Sequence, residues 1–163
     1  MNTKIIIAVI IIILILCCLW PRQSRRRVIG MIKNNLLPNM CLGIEDSSKE
    51  IGKYAYINKC DGNASKIWEI DNKQRLINKN SGLCLELSKS KILTEYQPHQ
   101  RICGDNPEQK WTLEEGRLAN NGKFIQTAIG SFDEKGVPVV LAELSGLSEH
   151  PDPIGRLDQV WSF

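Results

Sequence analysis

The chain has 163 residues and a formal net charge of +3. From residue 28 onward it carries 16 Lys and Arg against 18 Asp and Glu, a net charge of −2, and its basic residues are scattered. Because nucleic-acid binding needs a concentrated basic face, we expect no nucleic-acid partner. The 136 residues from 28 to 163 are enough for one domain and too few for two.

The first predicted element is a membrane anchor. Residues 5–20 contain no charge and include eight isoleucines. As a helix they would extend roughly 24 Å, at the short end of what crosses a ~30 Å hydrocarbon core. Lys4 and Trp20 can extend this length by reaching the interface. A cleavable signal peptide is the alternative, but residues 16–20 offer no small-x-small cleavage site. The sequence favours an uncleaved single-pass anchor.

Four arginines come directly after the anchor, at positions 22, 25, 26 and 27. Such a run ends the helix and can bind anionic lipid headgroups. By the positive-inside rule it favours a cytosolic location for the rest of the chain. We therefore divide the chain into an anchor with a basic flank, residues 1–27, and one globular domain, residues 28–163.

The domain is predicted to be all-β. No stretch of ten or more residues has a helical apolar stripe, and short apolar runs alternate with Pro, Gly and Asn. This alternation is typical of a sandwich or barrel. The runs are residues 29–32, 55–57, 67–70, 83–87, 124–129 and 137–144.

A repeat organises these strands. Cys41, Cys60 and Trp68 return 43 positions later as Cys84, Cys103 and Trp111, and a third tryptophan, Trp161, follows after 50 more. Two of the tryptophans end a Gln-x-Trp motif. Self-similarity at a fixed period indicates a repeat architecture. The domain is therefore predicted to be three copies of one small unit.

Units of about 43 residues with cysteine pairs and a terminal Gln-x-Trp resemble the ricin-B-type lectin domain. The resemblance covers residues 28–163 and implies a β-trefoil, a closed threefold barrel that leaves few strand edges exposed. It implies that the tryptophans at 68, 111 and 161 anchor a threefold core. The expected disulfides are Cys41–Cys60 and Cys84–Cys103. A zinc site is the alternative use of these cysteines, but it lacks a C-x-x-C pair and ignores the symmetry.

The third copy departs from the other two. Phe124 and Leu144 stand where the cysteines would be, so an apolar pair replaces the disulfide. The stretch before Trp161 is nine residues longer than its equivalent in the first copy. The extra residues form a predicted loop, 146–158, that is either a tolerated insertion or a contact surface for a protein partner.

The resemblance also implies where a sugar would bind. A binding copy of the family has an Asp two residues after the first Cys, an aromatic two before the second, and a Gln before x-Trp. In copy order these positions hold Gly43, Glu86 and Gln126, then Asn58, Arg101 and Ala142, then Lys66, Gln109 and Gln159. No copy keeps the full set. The candidate carbohydrate-binding residues are Glu86, Arg101 and Gln109 in the second copy, and Gln126, Asp158 and Gln159 in the third.

We expect a non-enzymatic, membrane-anchored carbohydrate-binding module without cofactor or metal. Arg101 at the aromatic position favours an anionic sugar, whose carboxylate it could pair. The chain has only two histidines, His99 and His150, both in polar stretches, and no nucleophile–base motif. The alternative is a trefoil that binds no sugar and serves protein–protein interaction or a virion surface.

The expected location follows from the cysteines. Disulfides indicate an oxidising compartment, contrary to the arginine flank. We expect the domain outside the cytosol or on a virion surface. Ile, Lys and Asn make up 46 of 163 residues, which fits an AT-rich genome such as that of many large DNA viruses. Asn63 begins an Asn-Ala-Ser sequon and is a candidate glycosylation site.

Overall fold

The computed structural model describes residues 27–35, 37–89, 96–114, 116–127, 136–143 and 161–163. These residues form thirteen strands and three short 3₁₀ turns, which confirms the all-β prediction. The strands are β1 (Val28–Met31), β2 (Lys33–Asn34), β3 (Met40–Ile44), β4 (Ala55–Lys59), β5 (Ile67–Ile70), β6 (Leu76–Asn78), β7 (Cys84–Lys89), β8 (Tyr96–Arg101), β9 (Thr112–Glu114), β10 (Arg117–Asn120), β11 (Lys123–Thr127), β12 (Val137–Glu143) and β13 (Trp161–Ser162). The 3₁₀ turns are Glu45–Ser47, Ala64–Lys66 and Pro107–Gln109.

Each copy contains an equivalent β-hairpin between its two cysteine positions, and the three hairpins share one register. They are β3–β4, β7–β8 and β11–β12. The residue at the first-cysteine position always faces the residue at the predicted stacking position. The pairs are Cys41 with Asn58, Cys84 with Arg101, and Phe124 with Ala142. This confirms that Phe124 replaces the first cysteine in the third copy; Leu144 lies outside the described residues.

The copies join edge to edge into a closed barrel. The last strand of each copy pairs with the first barrel strand of the next, as β5 with β6, β9 with β10, and β13 with β2. The hairpins meet at one end, where β12 pairs with both β4 and β8. This is the predicted β-trefoil. Closure satisfies the strand edges that an open sheet of short strands would expose.

The three tryptophans are buried and occupy equivalent places. Trp68 Nε1 donates to the Leu42 carbonyl at 2.9 Å and Trp111 Nε1 donates to that of Leu85 at 2.8 Å. Trp161 Nε1 donates to the Ile125 carbonyl at 3.1 Å. A buried indole N–H needs such an acceptor, and each copy provides it two strands earlier. Their predicted role as core anchors is confirmed.

Both predicted disulfides are present, Cys41–Cys60 and Cys84–Cys103. Each joins the start of a hairpin to the chain just after it, so it fixes the hairpin's open end. In the part of the chain described here, no three His, Cys, Asp or Glu side chains are grouped closely enough to hold a metal ion. The four cysteines are therefore used as the repeat symmetry predicts.

Two predicted segments lie outside the described residues: the membrane anchor at residues 5–20 and the loop at 146–158. Among the residues that are described, no helix has the length and apolar character needed to cross a bilayer.

Candidate functional site

The second copy brings three of the predicted site residues together. Glu86 lies on β7 opposite His99 of β8, and Arg101 ends β8 on the diagonal position of the same face. Gln109 ends the 3₁₀ turn Pro107–Gln109 that follows the disulfide. Arg101 and Gln109 both approach the carboxylate of Glu86.

The two carboxylate oxygens of Glu86 have different surroundings. Oε2 accepts hydrogen bonds from Gln109 Nε2 at 2.7 Å and from Asn106 Nδ2 at 3.3 Å. Oε1 faces Arg101 Nε at 3.7 Å and His99 Nε2 at 3.8 Å. A carboxylate has about four lone-pair directions, so Oε1 retains capacity for hydroxyl donors from a ligand.

Gln109 is fully buried and does not face solvent. Its Oε1 accepts from the Gly104 amide at 2.8 Å, and its Nε2 also donates to the Ile102 carbonyl at 2.9 Å. Gln109 therefore orients Glu86 and the chain after Cys103. Its contribution to any ligand passes through the carboxylate that it holds.

A buried asparagine in turn holds the segment that carries Gln109. Asn120 Nδ2 donates to the Glu108 carbonyl at 2.9 Å, and Asn78 Nδ2 donates to the Ser65 carbonyl at 2.7 Å in the first copy. Asn34 is buried at the equivalent place. Sequence reasoning missed this feature, although an apolar-x-Asn pattern at 32–34, 76–78 and 118–120 repeats with the copies.

A surface cavity of about 340 Å³ opens beside this carboxylate, near the lower end of the roughly 300–1,000 Å³ typical of ligand pockets. Three polar side chains and two exposed isoleucines line it. The lining residues are Ile51, Glu86, Arg101, Ile102 and Asn106. The isoleucines were not predicted as site residues, and Ile51 belongs to a different copy.

His99 is buried beneath the site and stays neutral at pH 7. Burial lowers the pKa of His99, the nearby Glu86 carboxylate opposes this shift, and Arg101 reinforces it. Among the described residues, His99 Nδ1 has no hydrogen-bond partner. The charges at the cavity are thus one carboxylate and one guanidinium.

The first copy is built differently at the same position. Lys66, buried in the place of Gln109, lies over Gly43, which occupies the place of Glu86. Lys66 Nζ donates to both oxygens of Asp61 at 2.8 Å, and this bond lowers the pKa of Asp61. The adjoining cavity is only about 110 Å³.

In the third copy, the described residues include Gln126 alone among the three candidates. It lies on β11 opposite Val140 and is partly buried. Asp158 and Gln159 lie outside the described residues, so a site in this copy stays a prediction.

Residues 27–143 match the model of the ricin-type β-trefoil lectin domain. The chain belongs to this family. The ricin-type lectin family is generally one of non-enzymatic carbohydrate-binding domains, so membership suggests carbohydrate binding in general. No match was found among curated protein sequences.

Solved structures show the same fold at low identity. This ricin-type lectin is similar to the β-trefoil lectin of the Vibrio vulnificus hemolysin/cytolysin with N-acetyl-D-lactosamine bound, with TM-score 0.61 and 18% identity over 83% of this chain and 93% of that chain. It is similar to a designed threefold symmetric protein, ThreeFoil, with TM-score 0.63 and 17% identity over 82% and 95%. It is also similar to an earthworm lectin C-terminal domain mutant in complex with 6′-sialyllactose, with TM-score 0.58 and 15% identity over 82% and 95%.

Proposed function

We propose that this ricin-type lectin binds glycans at the second-copy cavity and prefers anionic sugars. The observation that carries the proposal is the Glu86 carboxylate, held by Gln109 beside an exposed guanidinium at the cavity wall. Glu86 accepts sugar hydroxyl donors, as a shorter Asp does in the family. Its side chain is one methylene longer than that Asp, and its carboxylate still lies at the cavity lining.

Arg101 supplies the preference for an acidic ligand. Half of its side chain (51%) is exposed, and the contact with Glu86 is a loose 3.7 Å from Nε. The guanidinium can therefore take a sialic or uronic carboxylate in a charge-assisted pair. It also occupies the place of the stacking aromatic, which removes an interaction of about 0.5–1.5 kcal/mol that neutral sugars would use.

The other two copies contribute less under this proposal. The first binds no sugar, because Lys66 fills the space over Gly43 and is committed to Asp61. The third keeps Gln126, Asp158 and Gln159 as a secondary candidate site. The domain is displayed by the anchor at residues 5–20, outside the cytosol or on a virion surface. The two disulfides support such an oxidising location.

A binding titration tests the proposal. The full chain, held in detergent, is titrated with 6′-sialyllactose and with lactose as its neutral counterpart. We expect measurable binding of the acidic glycan only, weakening as salt is added. Arg101→Ala and Gln109→Ala should each lower the affinity about tenfold, equivalent to roughly 1.4 kcal/mol. Lys66→Ala, the matched change in the first copy, should leave it unchanged.

The opposing outcomes are distinct. Equal binding of lactose, undisturbed by Arg101→Ala, would refute the anionic preference and leave carbohydrate binding in place. Absence of binding to either glycan would refute the sugar-binding proposal and favour the protein-interaction alternative.

A further inference from the structure

The cavity of the second copy has one wall that comes from the first copy. Ile51 lies in the connection between β3 and β4, yet it lines the cavity together with Ile102. The two side chains are 50% and 68% exposed. Ligand pockets combine apolar walls with a few convergent polar groups, and these isoleucines are the apolar part of a lining that also contains Glu86 and Arg101.

The connection that carries Ile51 is fastened to β8. The Gly52 amide donates to the Gln100 carbonyl at 2.8 Å, and the Gln100 amide donates to the Lys53 carbonyl at 2.8 Å. The Gln100 side chain adds two further bonds, from Nε2 to the Ser48 carbonyl at 3.0 Å and to the Glu50 carbonyl at 2.6 Å. The backbone on both sides of Ile51 is thus tied to a single residue of the second copy.

Gln100 breaks the repeat at the position where it makes these bonds. The equivalent residues, read from the hairpin registers, are Ile57 in the first copy and Leu141 in the third. Gln100 and Ile57 are both fully buried. Burying an amide where an aliphatic residue fits is unfavourable unless its polar atoms are bonded. All of them are, because Oε1 accepts from Ser81 Oγ at 2.8 Å.

We propose that Ile51 and Ile102 form the apolar platform for the sugar ring in this site, and that Gln100 is the positioning residue that holds Ile51 in place. The proposal rests on the proposed function and names how the same site recognises its ligand. The C–H face of an acidic pyranose lies on the two isoleucines by dispersion contact. Its hydroxyls reach Glu86 Oε1 and its carboxylate reaches Arg101. The site is therefore composite, shared between two copies.

The platform is tested by substituting its exposed side chains. In the full chain titrated with 6′-sialyllactose, Ile51→Ser and Ile102→Ser should each weaken binding by about five- to tenfold. Leu113→Ser is the matched control, since Leu113 is 46% exposed and is not one of the residues that line the cavity. It should leave the affinity unchanged. Wild-type binding that survives Ile51→Ser would overturn the platform while the proposed function stands.

The positioning role is tested with Gln100→Leu, which introduces the aliphatic residue type that the other two copies have at this position. Gln100→Leu should weaken binding about as much as Ile51→Ser does. The double variant Gln100→Leu with Ile51→Ser should bind the glycan no more weakly than either single variant. Without any glycan, amide hydrogen exchange at residues 48–53 should accelerate about tenfold. Unchanged exchange overturns the positioning role whether or not a glycan binds. If the wild-type chain binds no glycan, the proposed function and the platform both fall.

Discussion

Lys66 lies so close over Gly43 that a Cβ at position 43 would come within 2.9 Å of Lys66 Cγ. In the second copy the corresponding pair is Gln109 and Glu86, joined by a 2.7 Å hydrogen bond. In the first copy the carboxylate belongs to the loop residue Asp61 and not to a strand residue. The ammonium of Lys66 takes the place of the Gln109 amide and pairs with Asp61. The first copy is left with a cavity of about 110 Å³, against about 340 Å³ in the second copy.

This packing predicts that Gly43→Ala lowers the free energy of unfolding by about 1 kcal/mol, because the Lys66 stem must move. The loss should disappear when Gly43→Ala is made in a Lys66→Ala background, where the stem is absent. Denaturant unfolding of the four variants measures the coupling. An equal loss in both backgrounds would show that the two residues are independent.

Removing one disulfide should weaken the fold without abolishing it. Cys84→Ala with Cys103→Ala opens a loop whose closure is worth about 3 kcal/mol on the chain-entropy model. The far-ultraviolet β signal should persist, because Phe124 already takes the first-cysteine place in the third copy. Thermal unfolding followed by circular dichroism checks both points. A variant that loses its β signal at low temperature would contradict the expectation that the fold persists without this disulfide.

Because of His99, the stability of the domain should fall as the pH drops below about 6.5. The pKa of His99 is lowered in the folded state, so the unfolded chain binds more protons in this range. The contribution of neutral His99 to the stability of the fold is therefore complete above the unfolded-state pKa. It is lost as the pH falls toward the folded-state pKa. The groups facing His99 are Glu86 on β7, Arg101 on its own strand and the ring of Tyr54.

Urea titrations at several pH values measure this dependence. His99→Gln should flatten the profile below about pH 6.5, whereas His150→Gln, at the only other histidine of the chain, should leave it as in the wild type. A His99→Gln profile with the wild-type slope would assign the effect to other groups.

Glycosylation of Asn63 tests in which compartment the domain is located. It is exposed, and its side-chain oxygen accepts from the Ser65 amide at 3.0 Å, which fixes the turn that carries the sequon. We expect a glycosidase-sensitive mass shift in the chain from eukaryotic cells, lost in Asn63→Gln, if the domain passes through the secretory lumen. Disulfides without this shift would point instead to oxidation on a virion surface.

The repeat carried most of what could be predicted. The cysteines and tryptophans recur with one period because each has the same structural role in its copy. Copies that pack together in the same way keep these residues at equivalent positions. The β-trefoil, both disulfides, the buried tryptophans and the replacement of a cysteine by Phe124 were therefore visible in the sequence alone.

The second-copy cavity depends on residues that differ between the copies, and only the tertiary structure shows how they come together. Gln109 was a candidate ligand contact from its motif, but its burial makes it the support of Glu86. Ile51 could not be predicted from the sequence, because it lies 35 positions before Glu86 and the two line one cavity only in the folded chain. In the sequence Gln100 is one of many polar residues, and only its hydrogen bonds show that it holds the segment that carries Ile51. A period reveals what equivalent positions share, whereas contacts between copies depend on how the chain closes in space.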